Sequence, residues 1–209
     1  MAAVKAGRPQ RRSADQRAGL ADRLVDEAGR ILSADGASAL TLRRLATASG
    51  TSTMAVYTLF GDKQGLLAAM YRAGFERLGA ASRAAAAASE DPLTALAELG
   101  LAYRRTALDN PHLYNLMFGR PVASFAPDPE AKAVAEASYT PLVDAVQTCL
   151  DAGVLAHGDA QRIAFYLWSV SHGFVSLELA GMLDELDAAG REAAYKDALV
   201  LSSVPFLTT

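Results

Sequence analysis

Two adjacent guanidinium groups, Arg43 and Arg44, are followed across a glycine by a cluster of hydroxyl and small side chains, Ser52, Thr53, Met54, Ala55 and Thr58. An arginine can fork onto a guanine edge or hold a phosphate, whereas a threonine or a small apolar group can touch a thymine methyl or offer one hydroxyl. That is recognition chemistry. Bond-breaking chemistry finds less support. There is no glycine-rich phosphate loop, no nucleophile elbow and no pair of carboxylates on a core-facing helix. Ser169, Ser171 and His172 are close in sequence but point at different angles around one helix. His112, His157 and Cys149 match no compact ligand set, so neither a metal nor a cofactor is expected.

A second group of residues is aromatic or soft: Tyr103, Leu116, Met117, Phe118, Tyr139, Trp168, His172 and Phe174 recur at helical spacing. Trp168 and His172 lie one turn apart and share a face. Such a stripe can line an apolar pocket, and it is equally what a plain helical core would use.

The first group must be positioned by a helix, a tight turn and a second helix. Thr41 stands where an N-cap belongs, and Leu42, Leu45 and Ala46 recur on one helical face. Gly50 suits the turn, and Ser52 or Thr53 can cap a helix through Met54, Val56, Tyr57 and Leu59. This is helix-turn-helix geometry. Thr53, Met54 and Ala55 fall on the exposed face near the start of its second helix, with Thr58 and Leu59 at the rim. Isolated helices shorter than about 12 residues are marginal in water, so the pair needs a larger apolar surface. Leu20, Leu24, Ala28, Ile31 and Leu32 before it, and Leu66, Leu67, Met70, Tyr71 and Phe75 after it, form stripes that supply one.

Charge is divided along the chain. The first 80 residues carry 12 Lys and Arg against 7 Asp and Glu, a net of +5, while the remainder is at −8, giving −3 overall. A basic end on an acidic body suits one polyanion-facing end. At 209 residues and 51% hydrophobic the chain can bury a sizeable core. No apolar run reaches the roughly 18 residues that span a bilayer, and no signal peptide is read at the start, so no membrane partner is expected. The single cysteine excludes an intrachain disulfide and fits a reducing, cytoplasmic setting.

In chain order, residues 1–14 read as a flexible basic arm with Lys5, Arg8, Arg11 and Arg12, able to lie in a minor groove or along phosphates. The first long helix is expected from near Ala14 to Ala34, stopped at Gly36. After the helix-turn-helix, Asp62 caps a long helix reaching Ala88. Asp91 and Pro92 open the next, ended by Asn110 and Pro111. A short helix then holds His112 to Phe118. Pro129 starts a helix with an expected kink or break at Pro141. The run from Asp159 to Leu183 is apolar on more than one face, and a last helix is expected over Ala188 to Ser203. No strand-like alternation is seen. The fold class is therefore all-α, with residues 15–61 as a three-helix helix-turn-helix DNA-binding domain and 62–209 as a helical effector-binding and dimerisation domain.

SGTSTMAVYTLFGDKQGLL, between a helix and an all-helical remainder, resembles the TetR family of bacterial transcriptional regulators. Thr41, Ala46, Gly50, Ser52, Tyr57, Phe60, Lys63 and Leu66 stand where that family's pattern has such residues, over roughly residues 15–75. LWSVSHGF, with Trp168, His172 and Gly173, and NPHLYNLMFG before it, resemble the C-terminal domain of a subgroup known for its Trp, His and Gly. The resemblance implies phosphate contacts from Thr41, Tyr57 and Lys63, and a small, mostly apolar effector held among Tyr103, Leu116, Met117, Phe118, Tyr139, Trp168 and His172. Leu59 stands where the family often has His or Tyr, and Thr51 where a small apolar residue is common. The expected function is a sequence-specific, homodimeric regulator, a repressor of a palindromic double-stranded operator released by its effector, and not an enzyme. Its dimer is expected from the segments 142–150 and 159–183, pairing as a four-helix bundle. The alternatives are a helical small-molecule-binding protein with weak or lost DNA binding, and a helical enzyme with an unrecognised site.

Overall fold

Glycines and capping side chains cut the chain where the sequence predicts, and a computed structural model describes residues 8–208, with side chains from Gln16 onward. Among the described residues there are nine α-helices: α1 (Arg8–Ala39), α2 (Leu42–Ala48), α3 (Thr53–Phe60), α4 (Lys63–Ala86), α5 (Pro92–Asp109), α6 (Pro111–Phe118), α7 (Pro129–Asp151), α8 (Ala160–Leu179) and α9 (Ala188–Ser203). A 3₁₀ turn (Val204–Phe206) follows, and a single β-bridge joins Leu155 to Leu207. None of the described helices is long and apolar enough to cross a membrane.

α1 begins at Arg8, so Arg8 to Ala14 of the expected flexible arm are helical, while residues 1–7 lie outside the described residues. Gly36, at φ +78°, breaks the helical geometry where the stop was expected. The break expected at Pro141 does not occur: α7 runs through it. A proline removes one ladder hydrogen bond, and burial of its ring offsets that loss.

The helices form two compact units. The first comprises the chain up to Ala73 together with His112–Asp128, and the second comprises Gly74–Pro111 and Pro129–Thr209. The packing division thus falls within α4, whereas the sequence reading divides the chain after Gly61. In the first unit Leu24, Ala28, Ile31, Leu45, Val56, Leu66, Met70 and Leu113 make one buried cluster. It grips α2 and α3 between the stripes of α1 and α4, and α6 adds Leu113 and Leu116. In the second unit α5, α7, α8 and α9 pack on one another around Leu99, Val146, Cys149, Ile163, Ala164 and Leu167.

Candidate nucleic-acid interface and aromatic cluster

The hydroxyls of Thr41 and Ser52 start the two short helices. Thr41 Oγ1 accepts the Arg44 N–H at 3.2 Å and Ser52 Oγ accepts the Ala55 N–H at 3.1 Å, each satisfying a donor the helix cannot. Gly50, at φ +62°, makes the turn between them. After α3, Asp62 Oδ1 accepts the Gly65 N–H at 2.8 Å and caps α4. A Cβ on Gly65 would stand 2.0 Å from the Phe60 carbonyl oxygen, so the close passage from α3 into α4 requires a glycine.

Anchored in this way by the buried Val56, α3 presents its other face outward. Met54 is 74% exposed and Tyr57 52%, and Thr58 lies beside them with its hydroxyl donating to the Met54 carbonyl at 2.8 Å. Thr53 and Ala55 are half-buried, and Leu59 is packed against the first core. Arg43 is exposed on α2 next to Thr41. No Asp or Glu occurs between Asp35 and Asp62, so this face carries no carboxylate of its own to repel phosphate.

Two of the expected contact residues already have partners. Arg44 Nη2 lies 2.5 Å from Asp35 Oδ2, both side chains nearly half exposed. Exposed pairs of this kind contribute about 0 to 1 kcal/mol, little enough for a phosphate to displace the carboxylate. The Lys63 ammonium donates to the Ala37 carbonyl and is half-buried, tying the start of α4 to the end of α1. Neither partner is close in sequence to the residue it holds.

In the second unit a chain of aromatic contacts joins α5, α7 and α8. Tyr103 Oη and His172 Nδ1 share a hydrogen bond of 2.9 Å. The His172 ring lies 5.2 Å from Trp168, and Trp168 meets Tyr139 edge-on at 6.2 Å and Phe165 at 5.8 Å. Burial lowers the His172 pKa from its ordinary 6.5, which favours the neutral imidazole, and burial pushes the Tyr139 phenol up, so it stays protonated. Tyr103, Tyr139, Trp168 and His172 are therefore brought together. Leu116, only 3% exposed, is a core residue of the first unit, and Met117 and Phe118 sit half-buried on α6, with Phe118 against Tyr114 at 4.8 Å. Phe174 packs elsewhere, on Tyr195 at 5.2 Å.

Known proteins share both halves of this architecture. Residues 24–70 match the family described as bacterial regulatory proteins, tetR family, and residues 96–200 match the tetracyclin repressor-like C-terminal domain. The chain belongs to the TetR family. A TetR-family chain is a transcriptional regulator. The uncharacterized HTH-type transcriptional regulator Rv0681 of Mycobacterium tuberculosis is 27% identical over 85% of this chain and 77% of its own. A solved protein of unknown function from Rhodococcus sp. RHA1 is 30% identical, with a TM-score of 0.77 over 90% of this chain and 96% of that one. PfmR, a TetR family transcriptional regulator from Thermus thermophilus, shares the fold at 21% identity and a TM-score of 0.70, over 86% of this chain and 96% of its own.

This TetR-family chain also holds a buried charge cluster that its sequence pattern does not announce. Arg104 on α5 grips Glu178 on α8 through two hydrogen bonds, 2.7 and 2.6 Å, with side chains only 11% and 6% exposed. Arg191 of α9 adds its Nε at 3.4 Å from the same carboxylate. The Arg104 guanidinium also lies 5.7 Å from the centre of the Tyr195 ring, whose hydroxyl donates to the Gly100 carbonyl at 2.7 Å. Three helices are fixed by this one carboxylate. The available signal was that Glu178 is the only charged residue between Arg162 and Asp184.

Proposed function

We propose that this TetR-family regulator is a homodimeric repressor that reads a palindromic operator with α3 and α2 and is released by a small, mostly apolar effector. The observation that carries the reading is the outward face of α3 with Met54, Tyr57 and Thr58, beside Arg43 and Thr41, in a segment free of carboxylates. Met54, Thr53 and Ala55 read base edges by contact and hydroxyl, and Arg43 and Arg44 supply the charged contacts. Tyr57, Thr41 and Lys63 hold phosphate. DNA binding is assigned to residues 15–61, with the basic residues 1–14 before them, and effector binding and dimerisation to 62–209, the protein acting in the cytoplasm without catalysis. Trp168, His172 and Gly173 on α8 support assigning the effector half to the subgroup with that triplet, with Tyr103, Tyr139, Trp168 and His172 as effector contacts.

Dimerisation is assigned to α8 and α9. Phe165 and Leu177 on α8, and Val200 and Leu201 on α9, are between half and three-quarters exposed, an apolar surface fitting a second copy of the chain. Within the segment 142–150, Val146 and Cys149 on α7 are fully buried in the second core, which favours α8 and α9 for the pairing. Two such heads read successive major grooves about 34 to 36 Å apart.

The second reading, a helical ligand-binding protein with weak DNA contacts, is favoured by the engagement of Arg44 with Asp35 and of Lys63 with the Ala37 carbonyl. Selection of bound sequences from a randomised duplex pool decides between them. An enriched inverted repeat establishes the dimeric regulator. No enrichment at low salt, where phosphate contacts are strongest, sinks it in favour of the ligand-binding protein.

A further inference from the structure

The Tyr139 hydroxyl is shut off from solvent and has no hydrogen-bond partner among the described residues. Such a group is costly in an apolar setting, because it has left its water partners and gained none. A phenylalanine of the same shape would avoid the cost. Tyr139 packs against the second core and meets Trp168 edge-on, one contact away from the His172 and Tyr103 pair. The hydroxyl is thus the unsatisfied member of an otherwise aromatic group. Burial keeps it protonated, so it has a donor to offer.

The buried charges on α5 and α8 are already committed to each other. Arg104 is closed on Glu178 by two short hydrogen bonds, and Arg191 is directed at the same carboxylate. Arg104 and Glu178 are therefore not left over to pair with an ionised ligand, and an ion buried without a partner is strongly disfavoured. We infer that the effector is a neutral molecule with an aromatic or aliphatic body and one hydrogen-bond acceptor, a carbonyl or its equivalent, which takes the Tyr139 hydroxyl beside Trp168. This rests on the effector reading above and gives that effector a chemical class.

Four probes of nearly the same shape test it: acetophenone, ethylbenzene, benzoate and 1-phenylethylammonium, each titrated into the full-length protein by ligand-observed NMR. Acetophenone should bind about tenfold tighter than ethylbenzene, the worth of one hydrogen bond to a group otherwise unpaired. Tyr139→Phe should erase that ratio by weakening acetophenone alone. Ethylbenzene binding, and the emission of Trp168 as the single tryptophan, should stay as in the native protein. An equal ratio in native protein and variant overturns the inference. So does tighter binding of either ion, or no binding of acetophenone at millimolar concentration. Duplex selection keeps the two proposals apart: probe selectivity lost on replacing Tyr139, in a protein that selects no operator, upholds the ligand class and sinks the regulator reading. Operator selection with no probe selectivity does the reverse.

Discussion

At the scale of single residues, the proposed DNA-reading surface is built from side chains with unequal freedom. Arg43 is exposed on α2, whereas Arg44 must leave Asp35 and Lys63 must leave the Ala37 carbonyl before either can meet a phosphate. Arg43→Ala should therefore weaken binding to every duplex and reduce the salt slope by about one, with the melting temperature unchanged. Titrations at several salt concentrations check this, and an unchanged slope would remove Arg43 from the phosphate-binding set. His172 makes a different prediction. Its folded pKa is depressed by burial, so the unfolded chain binds the proton more readily between the folded value and the ordinary 6.5. The stability it contributes is present above that ordinary value and is lost as pH falls through the window below it. Melting temperature measured from neutral pH downward should drop more in the native protein than in His172→Phe, and parallel curves would show that His172 carries no such linkage.

At the scale of elements, caps and glycines dominate the first unit and a charge cluster dominates the second. The N-caps Thr41, Ser52 and Asp91 were legible because capping is local chemistry, a short polar side chain reaching the backbone two or three residues ahead. Breaks were less legible. The sequence points to a kink or break at Pro141, yet α7 continues through it, because the packing around a proline ring is tertiary information. The Arg104, Glu178 and Arg191 cluster was not read at all, since its members lie on α5, α8 and α9, far apart along the chain. Glu178→Ala should leave the Arg104 guanidinium in a buried site without its carboxylate and cost about 3 kcal/mol in denaturant unfolding. Arg191 is a quarter exposed and can turn to water, which keeps the loss toward the lower end for a buried pair. Loss below about 0.5 kcal/mol would mark the cluster as a surface pair in effect.

At the scale of the whole molecule, the outward apolar residues of α8 and α9 are the feature that a single chain does not explain. Leu177 and Leu201 are 51% and 70% exposed. Leu177→Asp combined with Leu201→Asp should give a folded monomer by sedimentation, with helical content retained and operator affinity lost, because one head holds only a half-site. Val175→Asp is the contrasting variant. Val175 is fully buried, so its replacement should unfold the second unit rather than merely split a dimer. If the double variant stays dimeric, the pairing surface lies elsewhere.

The sequence by itself determined the helix-turn-helix, its caps, the turn at Gly50 and most helix limits, because those depend on periodicity, capping and glycine conformation within a few residues. It also determined the polarity of the chain, basic at one end and acidic at the other, which is a sum over composition. Tertiary structure alone decided that Leu116 is core while Tyr139 keeps a buried hydroxyl with no partner among the described residues, for both are simply apolar-face residues until neighbouring helices are in place. It alone decided that Lys63 is tied to Ala37 and that Val146 and Cys149 of α7 are buried while Leu177 of α8 and Leu201 of α9 lie exposed. The physical reason is the same in each case: a helical stripe specifies that a face must be covered, and only packing specifies what covers it.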